Sequence, residues 1–579
     1  MTPRDSAGTS DAQARPRSLR RFSADVTATG EPFLWAFGGA LAIGIILIVG
    51  FLAMIFWNGA VTFWPKPVAV VTTADGNKTA GEPSRYSTYR PDPGTIEALS
   101  PAQRAILEEN LGFADRTLYR VGNYDLYGED FRWVSDFEKV AVEFPRDMYY
   151  FERQEWGPFV GRIKGLTLND APVDLSRGVS WSDIQSAQQD ARDRFDEIRR
   201  IERSEIGRVN YYMNQARLDV RRAELRYGTG SEGHREAERE AAARIAPLEE
   251  EFRILAAEAN ALKERDARDR ILLEEVGGRE KETPLSQIVR FYPANDLGIF
   301  DQIGIYFSRW GEFLSAEPRE ANTEGGVLPA IFGTVIMTLL MVVFVAPFGV
   351  VTALYLREYA KQGRLVAIVR IAVNNLAGVP SIVYGVFGVG FFAYTMGASI
   401  DQLLYAERLP NPTFGTGGIL WASLTLALLT VPVVIVASEE ALSAVPRSIR
   451  EGSIACGASK WQTIRRVVLP HAMPGVMTGL ILAMARGAGE VAPLMLIGVV
   501  KLAPELPIDG FFPYIHLERS FMHLGFQIFD VGFQSRNSEA GKPMVFVTTL
   551  LLLFLIVTMN ASAIYIRNRL KKKFVGSQF

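Results

Sequence analysis

Residues 439–498 read EEALSAVPRSIREGSIACGASKWQTIRRVVLPHAMPGVMTGLILAMARGAGEVAPLMLIG: a polar loop that runs into an apolar helix carrying a charged pair. The loop has a helical pattern of its own. Pro446 suits the first turn of a short helix, where a missing N–H costs nothing. Gly457 suits the turn that closes it. Ser459 and Gln462 form a capping box for a second helix, which Pro470 is expected to stop. Ile449, Ile454, Trp461 and Ile464 give this helix pair a sticky face, and Arg447, Arg450, Arg465 and Arg466 a cationic one. A loop of this kind between two apolar spans implies a docking partner in water; the plainer reading is a solvated basic loop on the inner side of a membrane. In the helix that follows, Arg486 and Glu490 are four apart and share a face. Each charge costs roughly 2.5–3.5 kcal/mol at mid-membrane, so such residues face a protein interior or a pathway. A structural ion pair would satisfy the same cost. Gly487, Ala488 and Gly489 thin the helix so that a neighbour can approach, and Pro493 is expected to bend it.

Outward from this stretch, apolar runs at 33–57, 328–356, 366–394, 419–437, 475–499 and 544–566 are each long enough to cross a bilayer. The first is too long for a signal-peptide core and reads as an uncleaved anchor. It follows a polar stretch, 1–31, read as disordered and carrying Arg15, Arg17, Arg20 and Arg21. Basic residues gather at Arg357, Lys361, Arg364 and Arg370, in the loop 438–472, and in the tail 568–579. Six spans with both termini inside satisfy parity and charge together. The third run is interrupted by Gly378-Val379-Pro380-Ser381. Asn374, Asn375, Ser381 and Tyr384 around that break could line a pathway or hydrogen-bond between helices.

Residues 58–327 hold no span and follow the anchor to the outside. Segments 119–168 and 284–292 are aromatic-rich and alternating, which predicts a small β module. Segment 181–275 interrupts it. Ile245, Leu248, Phe252, Leu255, Ala259 and Leu262 recur at spacings of three and four, as do Ile184, Ala187, Ala191, Phe195 and Ile198, with GTGSEG (228–233) between the arms. This predicts an antiparallel coiled-coil hairpin, with Pro247 kinking or restarting the second arm. It could be a solvated spacer or a docking arm. Ile303–Ala316 is amphipathic and suits the outer interface, and the aromatic stretch 521–535 is a candidate surface for an external protein.

Composition narrows the function. The chain has 579 residues, is 48% hydrophobic and carries a net charge of −2, without a nucleic-acid signature. A single cysteine, Cys456, excludes an internal disulfide and a thiolate metal cluster. His234, His471, His516 and His523 are scattered. There is no catalytic constellation and no Gly-Lys-Ser/Thr phosphate loop, so no enzyme, metal or cofactor is expected on this chain.

Two motifs resemble a known family. Glu451-Gly452-Ser453, then Gly457, Val467 and Leu469-Pro470 keep the spacing of the EAA loop of ABC importer permeases, with Gly-Ser replacing Ala-Ala and Val replacing Ile. The strings ARGAGEVAPLM (485–495), NNLAGVPSIVYGVFG (374–388) and GGVLPAIFGTVIMT (325–338) resemble the core helices of phosphate importer permeases of the PstA type. The likeness covers 325–570 and the anchor, and leaves the insert unexplained. It implies an α-helical polytopic protein of the bacterial inner membrane, with six helices of the ABC type I importer permease fold and a core over 328–567. The function it implies is a permease subunit for inorganic phosphate. Implied partners are a second, similar permease chain, an ATPase dimer holding ATP-Mg, an extracytoplasmic phosphate-binding protein, and membrane lipid. Arg486, Glu490, Asn374, Asn375, Ser381 and Tyr384 would then belong to the translocation pathway. Glu451, Ser453, Gly457, Trp461, Leu469 and Pro470 would belong to the joint with the ATPase. Permeases for sulfate or molybdate, and a membrane-anchored coiled-coil sensor or scaffold, are the alternatives.

Overall fold

Helix α1 (Pro32–Val61) opens the computed structural model, which describes residues 32–173, 181–503, 505–535 and 538–575. The stretch 1–31, expected to be disordered, lies outside these, as does the end of the basic tail. The chain forms two units, Met1–Met54 and Ile55–Phe579. In the first, almost every side chain from Trp35 to Met54 is exposed and apolar. That is the surface of a helix solvated by lipid, hydrophobic all the way round.

The second unit begins at Ile55 and leads into two antiparallel sheets. Strands β1 (Ala69–Thr73), β2 (Lys78–Tyr89), β3 (Ala114–Arg120), β4 (Phe131–Ser135) and β5 (Lys139–Glu143) pair in the order β4-β3-β2-β1-β5. Strands β6 (Tyr149–Arg153), β7 (Phe159–Leu168), β8 (Ala171–Val173), β9 (Arg270–Glu274), β10 (Glu280–Pro284) and β11 (Ile288–Pro293) form the second sheet, order β10-β9-β7-β6-β11 with β8 on β7. Val70, Ala80, Met148, Tyr150, Val160 and Tyr292 share one buried cluster that joins the sheets. Sheet structure thus begins fifty residues before 119, where the sequence predicts it. Strand β2, KTAGEPSRYSTY, is polar, contains Gly and Pro, and is buried only over its first half, so it shows no alternation.

Between β8 and β9 lies a helical hairpin. Its first arm is α2 (Trp181–Arg200) and α3 (Ile206–Tyr227), joined by a π-helical turn at Ile201–Glu205. The second is α4 (Glu232–Asp266), capped by Ser231, whose hydroxyl accepts from the His234 N–H. Ile201, Val209, Leu255 and Ala259 form the buried seam. Ion pairs Lys263–Glu202 (2.5 Å), Arg208–Glu251 (2.6 Å) and Arg244–Asp219 (3.0 Å) flank it and fix the antiparallel sense. Helix α4 runs through Pro247 without restarting and ends at Asp266. The RILLE segment at 270–274, read as the end of the arm, is strand β9, because the β-branched and leucine side chains there bury on the sheet.

Helix α5 (Ile299–Ser315) packs Trp310 and Phe313 on Phe63. The helical core follows: α6 (Leu328–Leu354), α7 (Arg364–Leu376), α8 (Ser381–Phe387, helical on to Leu404), α9 (Ile419–Ser443), α10 (Arg447–Ala455), α11 (Lys460–Gly489), α12 (Leu524–Phe529) and α13 (Ser538–Val575). Six helices among the described residues are long and apolar enough to cross a membrane: Trp35–Val61, Leu328–Tyr359, Ser381–Leu404, Ile419–Ser443, Lys460–Gly489 and Ser538–Lys572. Helix α9 is central, with Ala422, Leu426, Leu429 and Val434 buried against Met337, Met341 and Val345 of α6. Helix α11 lies on its other side. A side chain built on Gly475 or Gly479 would meet the Cβ of Ala441 or Ala437 at 2.5 Å, so these helices touch through small residues.

Several helix boundaries differ from the sequence reading: the third span runs on to Leu404, the fourth to Ser443, and the sixth covers Ser538–Lys572. The third span begins at Ser381, not 366, and α7 is a separate helix, because Pro380 disfavours helical geometry at Val379 and Gly378 weakens it further. Pro470 does not stop its helix. A π-helical turn at Ile464–Val468 precedes it, and the change of hydrogen-bond register leaves its absent N–H uncalled for. The charged span ends at Gly489, where the chain turns extended at Glu490 (ψ 132°), and Pro493 opens a separate turn instead of bending a continuous helix. The stretch 521–535 is largely buried: Phe521, His523 and Leu524 are fully so, and the Leu524 N–H donates to Thr334 of α6 at 3.0 Å.

Candidate functional site: a charged helix break and a two-helix loop

Arg486 sits in the last turn of α11, and Glu490 caps that helix from outside it. Their separation is 3.5 Å from Nε to Oε1, and the Arg486 side chain is 39% exposed. That is a loose ion pair, and it leaves Arg486 with donors to spare for another anion. Where the sequence reading has both residues on one helical face, the extended backbone at Glu490 makes the pair a hinge between helix and loop. Helix α8 meets this corner: a Cβ on Gly385 would lie 2.7 Å from the Cα of Pro493. Beside it, buried Tyr384 donates to the Leu376 carbonyl at 2.6 Å, closing the break between α7 and α8, and lies within electrostatic reach of Arg486.

Arg486, Glu490 and Tyr384 are therefore brought together, with Ser381 half-buried at the first turn of the same helix as Tyr384. Asn374 and Asn375 are exposed on α7. Asn374 lines a cavity of about 300 Å³ with Arg357, Arg370 and Glu439, and Arg486 is not in its wall. Arg370 approaches Glu439 to 3.4 Å there. This second polar cavity was legible only as basic residues flanking a span.

The loop between α9 and α11 is built on its turn chemistry. Gly457 takes φ +84°, a left-handed conformation that a Cβ disfavours. Ser459 and Gln462 make the capping box, with backbone-to-side-chain distances of 2.9 and 3.3 Å. Ser453 and Thr463 join the two helices through their hydroxyls at 3.0 Å. Glu451 is exposed, Leu469 and Pro470 are half-buried, and Ile454 and Trp461 are each 55% exposed on an otherwise polar surface. Missed from sequence was the anchor of this loop to the core. Arg450 pairs with Glu358 at 3.0 Å and donates to the Leu442 carbonyl, and Lys460 stands 4.8 Å over the Tyr359 ring.

Residues 346–572 match the family described as binding-protein-dependent transport system inner membrane component. The phosphate transport system permease protein PstA 1 of Mycobacterium tuberculosis is 35% identical over 244 residues, 42% of this chain and 71% of that protein. This chain belongs to that permease family. A further relative, "Probable ABC transporter permease protein YqgH" of Bacillus subtilis, is 36% identical over 204 residues, 34% of this chain and 62% of that protein. The permease chain thus spans between about three-fifths and seven-tenths of the length of these relatives. Among solved structures, the MetNI methionine ABC transporter in an inward-facing form covers 42% of the permease chain and 95% of its own, at 18% identity and a TM-score of 0.31. That is too distant to carry an argument. Family and helices together make the permease a multi-pass helical protein of an inner membrane. The family match begins after the insert.

Proposed function

We propose that this chain is the transmembrane subunit of an ATP-driven importer for inorganic phosphate. The observation that carries this reading is the likeness to a phosphate permease over the helical region that also presents Arg486 at a break in α11. A guanidinium with unused N–H groups recognises an oxyanion by charge and by paired hydrogen bonds. Glu490, loosely paired, holds Arg486 when the anion is absent and discourages its tight retention. Tyr384 and Ser381, and on the far side of the break Asn374 and Asn375, line the rest of the route. ATP-Mg acts on a separate ATPase dimer, which docks on the exposed Ile454 and Trp461 face of the 438–472 loop, with Glu451, Ser453, Gly457, Leu469 and Pro470 shaping the joint. A second, similar permease chain completes the pathway, and an external binding protein delivers the anion. Both termini lie inside, and the hairpin is an extracytoplasmic coiled coil.

Replacing Arg486 with alanine is expected to abolish phosphate uptake while the complex still co-purifies with its ATPase. Wild-type uptake by Arg486→Ala would remove this residue from the route.

A further inference from the structure

A cavity of about 310 Å³ opens where the insert meets the start of α13. Its place relative to the spans is marked by Thr62, just past α1, whose hydroxyl donates to the Asn58 carbonyl at 2.7 Å and lies 3.4 Å from the Pro543 carbonyl. Trp64 and Met544 line it at that end. These residues stand at the insert-side ends of two membrane-length helices, the depth at which lipid headgroups lie.

The wall is densely charged, and nearly all of that charge is paired internally. Glu152 receives Arg309 and Arg290; Glu312 receives Arg319 and Arg290; Glu324 receives Arg120. One carboxylate is left over, and one cation: Lys66, half-buried on the same wall, makes no ion pair among the described residues. Glu82 is 8% exposed, lines the cavity, and makes no side-chain hydrogen bond or ion pair among the described residues. Burial pushes its pKa up, against the more distant pull of Arg309, Arg120 and Lys66. The Tyr150 hydroxyl, also on the wall and 2% exposed, is equally without a hydrogen bond there. At the mouth the balance is reversed. Arg85 and Lys542, each about half exposed, share the single carboxylate of Glu539 at 3.0 and 2.5 Å. The cavity therefore offers an unmet acceptor at depth and surplus positive charge at its rim.

We propose that this cavity binds a zwitterion carrying a primary ammonium and a phosphate. The ammonium donates to Glu82 and Tyr150, and the phosphate is held by Arg85 and Lys542. A buried carboxylate without a partner is costly, and a hydrogen-bonding cation is the complement that removes the cost. The same chemistry has two sources: a phosphatidylethanolamine headgroup whose chains follow Met544 into the bilayer, and free O-phosphoethanolamine.

The test uses the full chain in detergent. Native mass spectrometry compares phosphatidylethanolamine with phosphatidylcholine, whose trimethylammonium cannot donate. O-phosphoethanolamine is titrated calorimetrically in parallel. Phosphatidylethanolamine is expected to bind at least tenfold tighter than phosphatidylcholine. Glu82→Gln, nearly isosteric, should erase that preference. Arg85→Ala, at the exposed rim, should weaken binding of both lipids, and it keeps the test open if the buried variant does not fold. Binding of O-phosphoethanolamine alone, lost in Glu82→Gln, assigns the same site to the soluble zwitterion. Equal binding of the two lipids with no O-phosphoethanolamine binding, or a preference that survives Glu82→Gln, overturns the proposal.

Discussion

His523 illustrates how little a residue's type reveals before its surroundings are known. It is fully buried; its Nδ1 accepts from the Phe526 N–H at 3.4 Å, and its Nε2 has no partner among the described residues. Burial lowers its pKa to about 4. An unfolded histidine titrates near 6.5. Between pH 6.5 and 4 the unfolded chain therefore binds the extra proton, and stability falls as pH drops through that window, by about 3 kcal/mol at most. Denaturant unfolding of the full chain at pH 7.5 and 4.5 should show this loss, and His523→Gln should lessen it; an unchanged pH dependence in the variant would contradict the assignment. Sequence alone marks His523 as one of four histidines, seven residues from His516 in the same loop and read as a partner contact, where the structure buries it completely. Arg486 was legible because charge in an apolar run stands out against its neighbours. Glu82 was not, because KTAGEPSRYSTY is polar throughout and only the third dimension buries that one carboxylate.

Among the elements, those with a single strong physical signal were legible and those made by pairing were not. Apolar length alone gives the six membrane-length helices, and the three-and-four spacing gives the hairpin arms. The sheet around β2 needs its partner strands to exist at all, and the ends of α8 and α11 depend on how backbone geometry around Pro380, Gly489 and Pro493 resolves locally. Where the hairpin goes was also beyond the sequence. Its first arm reaches the helical core: Tyr211 stacks on Phe511 at 4.4 Å and donates to the Phe512 carbonyl at 3.1 Å, while Arg222 pairs with the buried Glu407 at 2.8 Å. An arm touching two loops of the core is more than a free spacer. Hydrogen bonds to charged groups contribute about 1.5–3 kcal/mol, so the double variant Tyr211→Ala/Arg222→Ala should speed amide exchange in 505–515 and 404–409 by tenfold or more. Protection within the hairpin seam around Leu255 should persist. Unchanged exchange in both loops would mean that these contacts do not hold the arm in solution.

The whole molecule joins two parts with different degrees of legibility. The helical core, from α6 onward, carries the family likeness, the charged break at Arg486 and the two-helix loop. The insert carries two sheets and the hairpin, which lie outside the family match, and Glu82 with most of its cavity, whose rim at Glu539 and Lys542 belongs to the matched region. The family likeness lies in the core, and the contacts of the hairpin with core loops join the insert to it. The central claim is that the chain moves phosphate. Its most direct measurement is uptake of labelled phosphate at micromolar external concentration by cells lacking this chain and other phosphate systems, with and without the wild-type chain restored and with partner subunits shown to be present. Saturable uptake that requires the chain and survives excess sulfate is the expected result. No uptake on restoration, or uptake abolished by sulfate, would contradict the phosphate assignment while leaving the permease fold in place.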